Sequence, residues 1–189
     1  METKINIYNL EDLKIIGTHD TFGNPRGLCA VSHQESSFVL VYPDRARGIV
    51  RAMNYSTMVG VNFTAAKSAV ACITLNSDGS MCATASDKGT LIRIWNTAEG
   101  TLMQTLRRGV DRAEIYCINF DPRSHWIVAT SDKGTVHIYA LQASGFRNTK
   151  SSMSFMSKII PKYFESEFSY AQFRVADSRM IAAFTEDSQ

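Results

Sequence analysis

The chain has 189 residues, with 20 Lys and Arg against 18 Asp and Glu, so its formal net charge is only +2. Hydrophobic residues make up 44% of the sequence, which excludes a disordered chain, a collagen and an acidic tail. The length predicts one domain with a sizeable core. We expect neither a transmembrane helix, because no run of about 18 apolar residues occurs, nor a secretory signal at the N-terminus.

Short apolar strands separated by turns begin close to the N-terminus. Residues 5–8 and 13–16 are typical of the last two strands of a four-stranded antiparallel unit. A complete unit follows, and its four strands are predicted at residues 27–31, 38–42, 49–53 and 58–62.

The second complete unit has the clearest boundaries. Its short apolar stretches alternate with turns rich in Gly, Asp, Asn and Ser, as in an antiparallel sheet. Trp95 and Asn96 occupy the place of the Trp-Asp pair that marks a WD repeat. The four strands are predicted at residues 70–75, 81–85, 91–95 and 102–106.

The third unit is interrupted by a long insertion. Three strands are predicted at residues 116–120, 126–130 and 135–139, but the fourth is delayed until residues 168–173. The intervening segment, residues 142–167, is too long for a turn within such a unit, and loops of this length are usually functional or disordered. Further on, residues 180–184 are typical of the first strand of one more unit.

An internal repeat relates the second and third units. The pentapeptide Ser-Asp-Lys-Gly-Thr occupies residues 86–90 and recurs at residues 131–135, an offset of 45 residues. Beyond the pentapeptide the register slips by one residue, so that Arg93 corresponds to His137. A repeat of about 40–45 residues with four short strands is the signature of a WD-type propeller blade.

These patterns predict an all-β fold, a partial WD40-type β-propeller over residues 1–189 with about three full blades and two partial ones. Closed propellers have roughly four to eight blades, and an open arc leaves unpaired strand edges. We therefore expect the chain to be part of a longer propeller.

The four cysteines lie in apolar alternating stretches, and none forms a Cys-x-x-Cys pair. We interpret them as buried free thiols in a reducing compartment, with a disulfide or a metal site as the alternative. They are Cys29, Cys72, Cys82 and Cys117.

The residues around the repeat resemble a known family. Leu-Arg-Arg-Gly at residues 106–109 lies between the two copies of the pentapeptide, and residues 115–120 open the next blade. Together with residues 83–94 and 131–138, this arrangement strongly resembles the PROPPIN family, the WD repeat phosphoinositide-interacting (WIPI) proteins of autophagy. Residues 161–164 are most similar to the third WIPI paralogue. The resemblance implies a seven-bladed propeller, of which this chain covers the end of blade three through the start of blade seven.

The same resemblance implies a function without catalysis. Members of the family recognise phosphatidylinositol 3-phosphate and phosphatidylinositol 3,5-bisphosphate and recruit autophagy proteins. They act from the cytoplasm, peripherally, on phagophore and on endosomal or lysosomal membranes. We therefore expect phosphoinositide membranes and autophagy proteins as the partners of this chain, and neither a cofactor nor a metal.

Two lipid sites are expected around the double arginine. Adjacent residues of a strand point to opposite faces, so Arg107 and Arg108 can serve two pockets but not one. Carried over by position, the resemblance assigns Ser86, Thr90, Arg93 and Arg107 to a first site and Arg108, Ser131, Thr135 and His137 to a second. The family usually has a histidine at position 66, where this chain has Ala66 followed by Lys67.

The segment of residues 142–167 is an independent indication of membrane contact. Up to residue 162 it carries no carboxylate and four cations, Arg147, Lys150, Lys158 and Lys162. Cations interleaved with apolar residues suit an anionic membrane interface, and in the family the corresponding loop penetrates the membrane. The residues expected to insert are Phe155, Met156, Ile159 and Ile160. A disordered loop or a site for a peptide partner is the alternative.

Other functional classes have less support. A generic WD-repeat scaffold that binds only proteins is the main alternative, because Ser, Thr and Asp in blade turns often only satisfy backbone groups. No paired carboxylates, nucleophile–base motif or metal cluster indicates an enzyme. A nucleic-acid partner is not expected, since the net charge is small and no RNA-binding signature occurs.

Overall fold

The computed structural model describes residues 3–34, 37–149, 166–176 and 179–185. Within these ranges the regular elements are β-strands, apart from one 3-10 turn, Gln142–Ser144. The strands are β1 (Lys4–Tyr8), β2 (Ile15–Asp20), β3 (Ala30–Val31), β4 (Val39–Pro43), β5 (Ile49–Asn54), β6 (Val59–Thr64), β7 (Val70–Leu75), β8 (Met81–Ser86), β9 (Leu91–Asn96), β10 (Leu102–Arg107), β11 (Ile115–Phe120), β12 (Trp126–Ser131), β13 (Thr135–Ala140), β14 (Glu167–Phe168) and β15 (Ala171–Arg174).

The order of the strands within the sheets confirms the predicted partial propeller. The first full blade contains β3 to β6, the second contains β7 to β10 with β14 as a fifth strand, and the third contains β11 to β13 with β15. Among the described residues, β1 and β2 pair with each other alone and form the partial blade expected before the first full one. Within each blade, short connections make successive strands antiparallel.

The hydrophobic core lies between the blades. One apolar layer joins the first and second full blades, where the ring of Phe63 stacks on Trp95 with the centroids 4.8 Å apart. Another layer joins the second and third blades, and there Ile92, Leu106 and Ile127 have no exposed surface. Alternate residues of each strand enter these layers because successive side chains point to opposite faces. Blade packing therefore sets how the ends of β9, β10 and β13 approach one another.

Near the N-terminus the second strand starts later than its apolar run indicated. It was predicted at residues 13–16, whereas β2 begins at Ile15. A turn occupies the preceding residues: the N–H of Asn9 donates to the carbonyl of Lys14 at 2.9 Å, and Leu13 has a φ of 55°. A turn can contain apolar side chains, so the apolar run at residues 13–16 predicted a strand that starts two residues too early.

The strand predicted at residues 168–173 is two strands in two blades. β14 pairs in parallel with β10 of the second blade, with Leu106 opposite Glu167. β15 instead completes the third blade by pairing antiparallel with β13. Local alternation predicts an extended chain in both halves, but only the available sheet edges decide which blade each half joins.

Residues 180–184, predicted to be the first strand of another blade, form no strand in the structure. The carbonyl of Met180 accepts a hydrogen bond from the hydroxyl of Thr130 at 2.7 Å, and the carbonyl of Ala182 accepts one from the amide of Asn119, also at 2.7 Å. The segment is therefore held by hydrogen bonds from side chains of the third blade, and not by a ladder of backbone hydrogen bonds.

The prediction of a buried thiol is wrong for Cys29, which is exposed. Only the last two residues of the strand predicted at residues 27–31 pair with β4. Leu28 and Ala30 pack against the layer between the first and second blades, and alternation turns Cys29 away from it.

The other three cysteines are buried or half-buried, and all four are free thiols. Burial raises the pKa of the Cys72 thiol to about 12 and also raises the pKa of Cys82 and Cys117. These three thiols are therefore poor nucleophiles and act as small core residues.

Candidate functional site

Both copies of the repeated pentapeptide form the same tight turn between the second and third strands of a blade. In each copy the glycine N–H donates to the serine carbonyl, at 2.9 Å for Gly89 and 3.2 Å for Gly134. Both glycines have positive φ, which glycine adopts without strain. The connection to the third strand is one residue longer in the first copy, so Thr90 precedes β9 whereas Thr135 begins β13. The two threonines are therefore equivalent in sequence but not in the fold.

Arg107, the last residue of β10, is held by the β14 segment. Its Nε donates to the hydroxyl of Ser166 at 2.8 Å, and its guanidinium lies 5.9 Å from the centre of the Phe168 ring. The Arg107 carbonyl accepts a hydrogen bond of 3.0 Å from the hydroxyl of Tyr139. The side chain is only 4% exposed, so the surrounding backbone and side chains fix its position.

Arg108 points the other way, as the alternation of a strand requires. Its Nε donates to the carbonyl of Gly89 at 2.9 Å, and its Nη2 donates to the carbonyl of Asp111. Its backbone N–H donates to the carbonyl of Thr90 at 3.0 Å. The turn of the first pentapeptide therefore positions the arginine that faces the third blade.

The Arg108 side chain lines a cavity of about 480 Å³ against the third blade, here called the Arg108 pocket. Thr135 and His137 share one face of β13, and the register places them opposite Arg174 and Gln172 of β15. The residues lining the pocket are Arg108, Asp111, Lys133, Thr135, His137, Gln172, Phe173 and Arg174.

Three of the four residues predicted for the second lipid site line the Arg108 pocket, and Ser131 does not. Ser131 is fully buried, and its hydroxyl accepts a long hydrogen bond of 3.4 Å from the N–H of Lys133. Ser131 therefore supports the turn next to the pocket and does not line the pocket itself.

The Arg108 pocket is positively charged. Among the described residues, three cations, Arg108, Lys133 and Arg174, and one acidic residue, Asp111, line it. The ammonium of Lys133 also lies 3.5 Å from the carboxylate of Asp132, outside the lining. Burial, and then the nearby charge of Arg108, lower the pKa of His137 to about 4. The imidazole is therefore neutral at neutral pH and can donate one N–H. Cationic donors beside a hydroxyl and a neutral imidazole suit a phosphate group.

The predicted second site omits Lys133, Gln172 and Arg174, which the structure adds to the pocket. Lys133 belongs to the repeated pentapeptide, and that repetition was the signal that could have identified it. Arg174 lies opposite Thr135 as Arg107 lies opposite Leu91, so the two arginines are equivalent in the register of their blades. That equivalence depends on the pairing of β15, which alternation alone does not reveal.

The residues predicted for the first lipid site are less closely grouped. Arg93 and Arg107 share a face of the second blade, because Leu91, two residues before Arg93, pairs with Arg107. The Nη1 of Arg93 donates to the carbonyl of Ala65 at 3.2 Å. Ser86 and Thr90 belong to the turn that supports Arg108, where the Ser86 hydroxyl accepts from the N–H of Lys88 at 3.4 Å and the Thr90 carbonyl accepts from Arg108. Lys67, which follows the position of the usual family histidine, is exposed.

A larger cavity, of about 550 Å³, lies where β7 and β11 begin. Its charged side chains pair with one another: Arg26 with Glu114 at 2.8 Å, and Arg112 with Asp87 at 3.7 Å. Two arginines and three acidic residues line this larger cavity, whereas three cations and one acidic residue line the Arg108 pocket, so the larger cavity offers less to an added anion and size does not identify the candidate site.

The four residues predicted to insert into a membrane, Phe155, Met156, Ile159 and Ile160, lie outside the described residues. So do residues 161–164, which carry the likeness to one paralogue. In the described ranges no helix has the length and apolar character needed to cross a bilayer. The same ranges contain no cluster of three or more His, Cys, Asp or Glu side chains suited to a metal ion.

The unfolding free energy should fall as the pH is lowered from about 6.5 to about 4. The unfolded chain takes up a proton on residue 137 near the ordinary histidine pKa of 6.5, but the folded chain does so only near pH 4, so protonation favours unfolding in this window. The loss attributable to His137 is at most about 3 kcal/mol. Urea unfolding at a series of pH values should show a weaker pH dependence for His137→Gln than for the parent. His33→Gln, at an exposed histidine, is the control, and equal pH profiles for parent and His137→Gln would contradict the buried neutral imidazole.

Comparison with protein families gives a match over nearly the whole chain. The model of the PROPPIN family matches residues 1–185. Autophagy-related protein 18e of Arabidopsis thaliana is 42% identical over 100% of this chain, and the match covers 51% of that relative. The chain therefore spans about half the length of this relative.

Solved structures share the fold. Kluyveromyces lactis Hsv2, in a structure with complete loop 6CD, has a TM-score of 0.70 and 27% identity, with 93% of this chain and 54% of that chain covered. KlAtg21, solved in complex with the coiled coil of AgAtg16, has a TM-score of 0.65 and 24% identity, with 75% and 48% covered. The second likeness, at this identity, shows the fold alone.

Proposed function

The chain belongs to the PROPPIN family, and on this premise we propose that it is a non-enzymatic effector that binds phosphoinositides on autophagic membranes. It acts from the cytoplasm and attaches peripherally to phagophore and to endosomal or lysosomal membranes. Because the chain spans about half the length of its relatives, the proposal concerns the part of the propeller that carries the double arginine.

The observation that carries the proposal is the composition of the Arg108 pocket. It brings two guanidinium groups, one ammonium, one hydroxyl and one neutral imidazole to a single cavity. A phosphate monoester carries about −1.5 to −2 charges near neutral pH and accepts several hydrogen bonds at once. The pocket supplies the matching charge and donors, and Arg108 is already held in place by two backbone carbonyls.

Phosphatidylinositol 3-phosphate and phosphatidylinositol 3,5-bisphosphate are the proposed ligands. Arg108, Thr135 and His137 bind one headgroup, supported by Ser131 and joined by Lys133 and Arg174. A second headgroup binds on the opposite face of β10, where Arg107 and Arg93 lie on one side of the blade. Ser86 and Thr90 shape the turn between the two sites.

The loop segment of residues 142–167 supplies the apolar part of membrane attachment in this proposal. Its cations are attracted to anionic lipids, each contributing about 1 kcal/mol near the surface. Phe155, Met156, Ile159 and Ile160 bury apolar area that salt does not screen. Headgroup pockets and inserted side chains then act together.

Autophagy proteins are the proposed protein partners. KlAtg21, which has the same fold, was solved with a coiled coil of AgAtg16. Recruitment of such proteins to a membrane requires the effector to be held there first, which the two headgroup sites provide. If the chain bound proteins but no phosphoinositide, the alternative of a WD-repeat scaffold would hold instead.

Replacing Phe155, Met156, Ile159 and Ile160 together with Asp should sharply reduce flotation with vesicles that carry phosphatidylinositol 3-phosphate. Affinity for a short-chain soluble form of the same lipid should persist, because both arginines are unchanged. The parent chain should float with these vesicles and not with vesicles of unphosphorylated phosphatidylinositol, which tests the proposed function itself.

A matched control is available in the same segment. Replacing Ser151, Ser152, Ser154 and Ser157 with Asp adds the same charge but keeps every apolar side chain. This variant should lose much less vesicle binding than the first one. Equal losses would show that charge repulsion, and not lost insertion, explains the effect, and a parent that binds neither form of the lipid would overturn the proposed function.

A further inference from the structure

The two ends of the loop segment 142–167 that the structure describes meet at the outer strand of the second blade. The N–H of Phe168 donates to the carbonyl of Thr149 at 2.9 Å, which joins the departing and returning chain. The returning chain then pairs as β14 with β10. The two described ends of the loop therefore lie together at one place, beside Arg107.

Asn148 fastens the departing end to the third blade. Its Oδ1 accepts from the N–H of Ala140 at 2.7 Å, and its Nδ2 donates to the carbonyl of Ala140 at 2.7 Å. The side chain thus satisfies both backbone groups of the residue that ends β13. Asn148 is 7% exposed, so water competes little for these bonds.

Glu167 fastens the returning end to both blades. Its Oε2 accepts from the Nδ2 of Asn148 and from the Nε2 of Gln104, each at 2.7 Å. The same Nε2 of Gln104, on β10, also donates to the carbonyl of Ala140 at 3.2 Å. One carboxylate therefore joins β10 of the second blade, the end of β13 in the third blade and both ends of the loop.

The residue before Glu167 holds an arginine of the proposed lipid sites. Ser166 is 5% exposed and accepts the 2.8 Å hydrogen bond from the Nε of Arg107. The residue after Glu167, Phe168, lies under the Arg107 guanidinium. A displacement of Glu167 would therefore move the immediate surroundings of Arg107.

We propose that Gln104, Asn148 and Glu167 form a clamp of positioning residues that sets where the loop leaves the propeller and couples it to the Arg107 site. The coupling to lipid rests on the proposed function, whereas the clamp itself is a property of the free chain. The clamp holds the two described ends of the loop beside Arg107, so that the segment joining them and a headgroup at Arg107 engage the same patch of membrane.

The test is Asn148→Asp, which keeps the shape of the side chain and replaces its donor by an oxygen. That oxygen would face the carbonyl of Ala140 and the carboxylate of Glu167, and two carboxylates in contact repel each other. Gln142→Glu is the matched control: it is the same amide-to-acid change in the same segment, at an exposed side chain that bonds to the carbonyl of Met103 at 3.3 Å.

Hydrogen exchange measures the local stability of the clamp in the absence of lipid. In Asn148→Asp the backbone amides of Ala140 and Phe168 should exchange at least about tenfold faster than in the parent, and in Gln142→Glu they should not. Flotation with vesicles carrying phosphatidylinositol 3-phosphate should fall about tenfold in Asn148→Asp. Binding of the short-chain lipid at the Arg108 pocket should be unchanged, which a general loss of structure would not allow.

A double-mutant cycle tests the coupling to Arg107. Once Asn148→Asp is present, adding Arg107→Thr should cause less further loss of vesicle binding than it does in the parent. Unchanged exchange at Ala140 and Phe168 would overturn the clamp, and additive losses in the cycle would overturn the coupling. If the parent itself does not bind vesicles, the proposed function fails while the exchange measurement still decides the clamp.

Discussion

Replacing both Arg107 and Arg108 with Thr should abolish flotation with vesicles that carry phosphatidylinositol 3-phosphate, whereas each single replacement should leave part of the binding. The two guanidinium groups lie on opposite sides of the end of β10 and contact different segments, residues 166–168 and the turn at Gly89. Two headgroup sites on one rigid blade make the second binding event intramolecular. Avidity of this kind exceeds the affinity of either site by about 10²- to 10⁴-fold, so losing one site weakens binding and losing both removes it.

Controls separate the loss of binding from a loss of charge or fold. Arg45→Thr combined with Arg47→Thr removes the same charge from two exposed arginines of the first full blade and should leave flotation close to that of the parent. Because Arg107 and Arg108 are buried, the unfolding temperature of each variant should be measured beside its binding. Full vesicle binding by the folded double variant would contradict the model of two lipid sites.

Gly89→Ala should destabilise the chain by roughly 2–5 kcal/mol. Residue 89 has a φ of 62°, where a side chain costs about 1–2 kcal/mol. A Cβ there would also overlap the carbonyl oxygen of Ala113 and lie 2.9 Å from its carbonyl carbon. Overpacking against backbone adds about 1–3 kcal/mol, because backbone yields less than the end of a flexible side chain. The unfolding free energy from urea titration measures the sum.

The repeat supplies a matched control for this prediction. Gly134 occupies the same turn of the third blade with a φ of 66°, but among the described residues a Cβ there would meet only the carbonyl oxygen of Val175, at 3.2 Å. Gly134→Ala should therefore cost only the backbone part, about 1–2 kcal/mol. If the two variants lost equal stability, the backbone at Ala113 would have to move aside without cost, and the overlap of the new Cβ with its carbonyl would contribute nothing to the loss. Gly89→Ala should also weaken headgroup binding, because the carbonyl of Gly89 orients Arg108.

Much of the candidate site followed from local patterns. The repeated pentapeptide predicts both turns, and the pleat of a strand predicts that Arg107 and Arg108 point to opposite faces. The same slip in register that aligned Arg93 with His137 appears in the structure as one extra residue before β9. These features depend on neighbours in the chain, which is why periodicity and turn residues predict them.

The amino-acid sequence by itself determined most of the strands, the three full blades and the opposite directions of the two arginines. Only the tertiary structure decided that residues 167–168 join the blade before their own, that Arg174 enters the Arg108 pocket and that Cys29 faces outward. It also brought Glu167 within 2.7 Å of Gln104, a residue 63 positions earlier. Each of these depends on which sheet edge is free to accept hydrogen bonds and which faces of neighbouring blades pack together. Sheet pairing and blade packing depend on groups that are distant in the chain, and alternation along a single strand carries no information about those groups.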